Sequence, residues 1–284
     1  MWQESEYGLM RLVEEPDIER DNLYLLLDGA ALPALKIIYQ NDDNPRLERL
    51  YRGTRHEAML EVSPVLYSLS RQHLMWQNRE QWQSAGLLLE SAASIDDLAN
   101  HLRSLQSVRL PSGELAFCRF YDPALSERFF NSLTQDELRN WLGPISGIWL
   151  TAGQKEWRGF ATNQVSLCRS ASEEGWFSIR PEHLAIWQEQ ERQLFIQRLV
   201  SHFSADDLCG KSAPGLEAIV NQRVVAAETF GICSEQQLFA YVELALQFPE
   251  AIDNPEIRTD LANMEESAEH RLARIEASLF GLHG

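Results

Sequence analysis

The sequence predicts an α/β domain followed by an all-α lobe. Up to about residue 162, short apolar runs alternate with helix-like stretches, a pattern typical of a sheet covered by helices. From Pro181 onward, apolar residues recur only at helical spacing. We therefore expect an α/β domain with a mixed, largely parallel sheet over residues 1–175, and a helical lobe over residues 176–284.

The strands of the first domain are predicted from apolar runs at residues 23–28, 64–69, 86–90, 115–122, 145–150 and 157–162. Helices are predicted at residues 31–39, 47–53, 72–82, 94–105 and 134–142. Ser94 and Thr134 are followed three residues later by an acidic residue, which is the pattern of a helix N-cap. Because helices separate successive strands, the strands are expected to run largely parallel.

The C-terminal lobe is predicted to begin with a helix at Pro181 and to end with one long helix. That last helix spaces its apolar residues by three and four, at Leu261, Met264, Ala268, Leu272, Ile275 and Leu279. Two interpretations stay open. The stripe packs inside its own lobe, or it forms a seam for the helix of a partner protein.

The net charge of −17 excludes several classes of function. A surface this acidic repels phosphate backbones and anionic membranes, so we expect neither nucleic acid nor membrane as a partner. The four cysteines form no CxxC pair, as in reduced proteins of the cytosol. With no signal-peptide pattern and no run of about 18 apolar residues, a cytoplasmic location is expected.

Motifs of catalysis and cofactor binding are incomplete. The segment Gly210-Lys211-Ser212 resembles the end of a phosphate-binding loop, but Ala205 occupies the position of its first glycine. Ser146 stands one place too late after Gly143 for a nucleophile elbow. The histidines show no ligand spacing for a metal. We expect no catalytic residue, no cofactor and no metal.

Asp28, Arg119 and Asp122 are the polar residues that the predicted strand ends bring forward. In one interpretation the arginine lies between two carboxylates in a buried ion-pair network. In the alternative, the three residues serve a hydrolase or transferase of the α/β class. The set lacks an obvious nucleophile or proton shuttle, which favours the structural role.

Seven segments in a fixed order resemble a bacterial family. They are Leu25–Ala30, Ser63–Leu66, Gly86–Ser91, the helix over 98–105, Pro111–Glu114, Arg119–Pro123 and Gly143-Pro144. Over about residues 22–146 the chain is similar to the adaptor domain of type VI secretion effector chaperones, the Tap or TEC adaptors. It departs from their pattern at Ser63, where a glycine is expected before the proline.

The resemblance implies a non-catalytic cytoplasmic adaptor that binds a type VI effector and loads it onto the VgrG spike. It also implies that the motif residues serve the fold or a partner surface, namely Asp28, Gly29, Arg119, Tyr121, Asp122, Pro123, Gly143 and Pro144. The helical lobe, with seven basic and 17 acidic residues from Pro181 onward, is expected to help choose the cargo.

Overall fold

The computed structural model describes residues 3–4, 10–12, 16–69, 73–151, 157–162, 164–205 and 213–281. The segment Gly210-Lys211-Ser212 lies outside the described residues. The chain divides into two compact units, Met1–Trp187 and Gln188–Gly284. This division falls inside a helix, twelve residues after the boundary predicted at residue 175.

Strands of the N-terminal unit form one large sheet and one small one. The large sheet contains β1 (Gln3–Glu4), β2 (Met10–Leu12), β3 (Leu23–Leu27), β4 (Leu47–Arg49), β5 (Val65–Ser68), β6 (Gly86–Ser91), β9 (Ile145–Leu150) and β10 (Arg158–Ala161). The small sheet pairs β7 (Ser107–Arg109) with β8 (Leu115–Phe117). In the large sheet the strand order is β1-β2-β10-β9-β6-β3-β5-β4.

The prediction of a largely parallel sheet is wrong, because every pairing within the large sheet is antiparallel. The register shows why. Strands β5 and β6 are joined through a helix and do run in the same direction, but β3 lies between them and is antiparallel to both. The connection between β5 and β6 therefore lets these two strands run in the same direction, although they are not hydrogen-bonded to each other.

Helices cover both faces of this sheet. They are α1 (Ala34–Asn41), α2 (His73–Gln77), α3 (Ile95–Ser104), α4 (Pro123–Ser132) and α5 (Gln135–Leu142). Alternation along β3 places Leu26 in one buried cluster, with residues of α3, α4 and α5. Leu25 and Leu27 point into the opposite cluster, with residues of α1 and α2. Two-sided burial explains why β3 is an apolar run instead of an alternating one.

Two segments of the N-terminal unit differ from the prediction. Residues 47–53 do not form a helix, because Leu50 N donates to the Pro64 carbonyl at 3.0 Å and aligns β4 with β5. The strand predicted over 115–122 ends at Phe117, and its outer residues are exposed. Asp122 instead caps α4, a helix that the apolar pattern did not indicate.

The C-terminal unit contains only helices among its described residues. Helix α6 (Pro181–Ala205) enters it, followed by α7 (Ala213–Thr229), α8 (Glu235–Gln247), α9 (Pro249–Ile252), α10 (Pro255–Leu261) and α11 (Ala268–Leu279). The buried core draws on each of these helices, α11 included. No helix in the described part of the chain is long and apolar enough to cross a bilayer.

The long final helix predicted from the apolar spacing is two helices. Helix α10 ends at Leu261, and α11 begins anew after Ser267, whose hydroxyl accepts a hydrogen bond from His270 N at 3.3 Å. Of the two interpretations of the stripe, burial agrees with packing inside the lobe, because Leu261, Leu272 and Ile275 lie in the core of their own unit, and the partner seam stays a prediction. Leu279 packs against that core, and Met264 is exposed in the connecting loop.

Candidate functional site

Asp28 lies directly after β3 and is only 1% exposed. Its Oδ1 accepts a hydrogen bond from Ala30 N at 2.9 Å, and its Oδ2 accepts one from Arg119 Nη2 at 2.5 Å. Its backbone carbonyl accepts from Ala31 N and Leu32 N, both at 3.2 Å. The carboxylate therefore links the turn after β3 to the segment after β8, and each of its two oxygens accepts a hydrogen bond.

Gly29 is required by a close approach of two backbones. A Cβ atom at this position would lie 2.2 Å from the Ser63 carbonyl oxygen. Ser63 accepts a hydrogen bond from Tyr51 N at 3.0 Å and donates one to the Pro64 carbonyl at 2.9 Å. The serine that departs from the family pattern thus ties the end of β4 to the beginning of β5.

Two buried tyrosines complete the cluster beneath Asp28. The hydroxyl groups of Tyr51 and Tyr121 are 2.9 Å apart and share a hydrogen bond. Burial raises the pKa of both phenols, and the negative charge of nearby Asp28 adds to the effect. Both groups stay protonated at neutral pH. Tyr51 is not among the predicted site residues, because the segment that contains it was predicted to be helical.

Asp122 has a separate task from Asp28. Its Oδ1 accepts hydrogen bonds from Ala124 N at 3.0 Å and Leu125 N at 3.4 Å, which caps α4. Pro123 occupies the first turn of that helix, where its missing N–H costs nothing. Arg119 was predicted to lie between two carboxylates, but it hydrogen-bonds only to Asp28. Asp122 caps a helix instead.

Gly143 and Pro144 fix the end of α5 against α3. Gly143 has φ of +60°, and a Cβ atom there would lie 2.3 Å from the ring of His101. His101 Nε2 bonds to the Trp141 carbonyl at 2.9 Å, while its Nδ1 accepts from Arg169 N at 3.2 Å. The Pro144 carbonyl accepts from Ser91 Oγ at 2.8 Å. Both motif positions thus have contacts within the fold.

Burial and ion pairing set the protonation states around Asp28. The hydrogen bond to Asp28 raises the pKa of Arg119 above its already high value, so this group stays charged. Burial raises the pKa of the Cys118 thiol to about 12, which leaves no reactive thiolate at neutral pH. The cluster thus contains a hydrogen-bonded carboxylate, a charged guanidinium and two protonated phenols.

A pocket of about 150 Å³ adjoins Gly29. Its walls include Lys36, Arg49, Glu61 and Ser63, but none of Asp28, Arg119 and Asp122. Its volume is below the several hundred Å³ of typical ligand sites. The strand-end carboxylates therefore do not face this pocket.

An exposed apolar surface adjoins the cluster on β8, and we call Leu115, Phe117 and His56 the β8 surface. The Phe117 ring lies 4.9 Å from the His56 ring and 6.4 Å from the ring of buried Tyr51. Leu115 packs over Gly175. Leu115 and Phe117 were predicted to lie in a buried strand. The Pro111-Ser112-Gly113 turn before them, which marks a hairpin with residues 107–109, was the available signal.

Comparison with known proteins identifies the N-terminal part of the chain. Residues 23–140 match the family described as Domain of unknown function (DUF4123). Over 115 residues the chain is 33% identical to "Accessory protein VasW" of Vibrio cholerae serotype O1, a match that covers 40% of this chain and 39% of that protein. The chain thus aligns with about two fifths of the length of this relative. No solved structure matches.

The match over residues 23–140 confirms the resemblance to the type VI secretion effector adaptors for that part of the chain, which is less than half of its length. The match ends within α5. It includes Asp28, Gly29, Arg119 and the cap formed by Asp122 and Pro123. Gly143 and Pro144 follow it, as does the whole C-terminal unit.

Proposed function

We propose that this chain is a non-catalytic cytoplasmic adaptor, which binds a type VI secretion effector and loads it onto the VgrG spike. The observation that carries the proposal is the closed pair of Asp28 and Arg119. Both carboxylate oxygens accept hydrogen bonds from the protein itself, and the group is buried, so it is shielded from a substrate or an attacking water. The polar residues at the strand ends then serve the fold, and association with other proteins is the remaining task.

The comparisons support the same role. Residues 23–140 match a family to which type VI secretion adaptors belong, and a relative of the chain bears the name of an accessory protein. A hydrolase or transferase would need Asp28, Arg119 and Asp122 to converge on one cleft. Instead, Asp122 is engaged in capping α4, and the nearby pocket excludes all three residues.

The experiment is affinity capture of the full-length chain from its source bacterium, followed by quantitative mass spectrometry. We expect a type VI effector and a VgrG protein to be enriched over a tag-only control. Recovery of the folded chain without either protein would contradict the proposal. A substrate analogue bound directly by Asp28 would contradict it as well.

A further inference from the structure

Strand β8 presents a free edge with a defined hydrogen-bonding pattern. In the β7–β8 ladder, Cys118 N donates to the Gln106 carbonyl and Leu110 N donates to the Glu114 carbonyl, both at 2.8 Å. Bonded pairs alternate with unbonded ones in an antiparallel ladder, so Ala116 also faces β7. The N–H and C=O groups of Leu115 and Phe117 therefore point away from β7, toward the open edge.

Neighbouring edges in the same unit are covered. On the far side of β7, Arg109 N donates to the Phe177 carbonyl at 2.8 Å, and Ile179 N donates to the Arg109 carbonyl at 2.7 Å. On the outer side of β4, Arg103 Nη2 donates to the Arg49 carbonyl at 3.2 Å. No such cover lies over Leu115 and Phe117 among the residues that the structure describes.

The side chains at this edge are apolar and well supported from below. Leu115 is 46% exposed and Phe117 is 42% exposed, and both lie on the outer face of the small sheet. Ala116, between them, faces the core. Phe117 rests on His56, and Leu115 rests on Gly175. An uncovered apolar edge of this kind is a template for one further strand.

The charge of the chain restricts which kind of partner segment can bind at the β8 edge. Two basic residues near the β8 surface are in ion pairs, since Arg55 pairs with Glu174 at 2.9 Å and Arg119 pairs with Asp28. Arg109, opposite Leu115 in the ladder, donates from Nη1 to the Gly113 carbonyl at 3.0 Å. The net charge of the chain, −17, repels acidic partners at long range. An extended segment that is neutral or basic, with apolar residues at alternate positions, can pair with the free N–H and C=O groups of β8 and is not repelled by the negative charge of the chain.

We propose that β8 binds such an extended segment of the effector as a third strand of the small sheet, by β-strand addition. This inference rests on the proposed adaptor function and assigns it a surface. Leu115 and Phe117 supply the main-chain hydrogen bonds. Their side chains select apolar residues at every second position of the bound segment.

Hydrogen exchange resolved to single amides tests the proposal directly. The probe is the effector recovered by affinity capture, added to the full-length chain. We expect exchange at the Leu115 and Phe117 amides to slow at least about tenfold in the complex. Exchange at Ala116, already bonded to β7, should change little. Complex formation with unchanged exchange at Leu115 and Phe117 would overturn the edge inference and leave the adaptor function intact.

Substitutions give a second test. Leu115→Pro removes an outward N–H without removing a ladder bond, and proline is tolerated at such edge positions. We expect it to weaken effector binding at least about tenfold, with the melting temperature of the chain little changed. The matched control is V165K/L167K, which alters two exposed apolar residues on a loop of the same unit and should bind as wild type does.

The remaining outcomes separate the two claims. Equal loss of binding in the proline variant and in the control would show that general surface hydrophobicity, not the edge, drives association. Self-association of the wild-type chain that disappears in Leu115→Pro would show that the occupant is a second copy, and would overturn the inference. No effector bound to the wild-type chain would contradict the adaptor function itself.

Discussion

Asp28 illustrates how a side chain that suggests an active site becomes part of a scaffold. An aspartate at the end of a buried strand is a common catalytic position in α/β enzymes. Here the same carboxylate closes its own turn through Ala30 N and holds Arg119 across 91 residues of sequence. Breaking such a pair leaves polar groups without partners, so its removal is expected to affect stability before any chemistry.

The contact between Gly143 and His101 gives a prediction at the same scale. Gly143→Ala forces a Cβ atom into the imidazole ring and also places alanine at φ of +60°. We expect a loss of about 2–4 kcal/mol in the free energy of unfolding, from overpacking and backbone strain together. Urea titration measures it.

Gly53→Ala is the matched control for that variant. Gly53 also has positive φ, at +70°, but a Cβ atom there would meet nothing within 4 Å. It should cost about 1 kcal/mol, the strain alone. Equal losses in the two variants would contradict the role given to His101.

His101 makes stability depend on pH. Burial lowers the pKa of its imidazole, and the Arg169 N–H donates to Nδ1, so the folded state requires the neutral ring. Below about pH 6.5 the unfolded chain binds a proton that the folded chain does not. Stability should therefore fall as the pH drops below that value. Unfolding at pH 7.5 and 5.5 measures the difference, and His101→Gln should reduce it. An unchanged difference would contradict this assignment.

At the scale of elements, the apolar stripe of the last two helices packs into the core of the C-terminal unit. Leu272→Asp places a carboxylate in the buried cluster that α11 shares with α8 and α10. We expect the C-terminal unit to lose more than about 3 kcal/mol of stability. Met264→Asp, on the exposed loop of the same stripe, should be nearly neutral. Thermal unfolding followed by circular dichroism distinguishes the two. A stable, folded Leu272→Asp variant would restore the interpretation as a partner seam.

Local signals predicted many of the elements correctly. Ser94 and Thr134 cap helices as their sequences indicated, because a cap involves residues only two or three positions apart. Strand pairing was mispredicted, because β3 enters between β5 and β6 through contacts distant in sequence. Tyr51 was missed for the same reason, since its partner Tyr121 lies 70 residues away. Many positions could be predicted from the sequence, whereas partners distant in sequence could not, apart from the pair of Asp28 and Arg119.

For the whole molecule, negative charge is denser in the C-terminal lobe. The lobe from Pro181 onward carries 17 acidic and seven basic residues, a net charge of −10 over 104 residues, against −7 over the 180 residues before it, so a partner meets a denser negative field there. We propose that this field helps to select the cargo. The lobe lies beyond the part of the chain that matches the family, which ends at residue 140.

Charge reversal tests that role of the lobe. Glu217 and Glu250 are exposed residues of the C-terminal unit, and Asp43 and Glu80 are exposed residues of the N-terminal unit. We expect E217K/E250K to slow association with the effector several-fold at low salt, with little effect at high salt. D43K/E80K, with the same change in net charge, should have a smaller effect. Stopped-flow binding measures both, and equal effects would contradict a specific role for the lobe.

The most direct test of the whole account is effector secretion by the source bacterium carrying Asp28→Asn in place of the wild-type chain. The substitution removes the carboxylate but keeps its shape, and should cost about 1–2 kcal/mol of stability. If Asp28 has only a structural role in a binding protein, secretion should remain near the wild-type level at a temperature where the variant is folded. Loss of secretion with normal levels of folded variant would contradict the account.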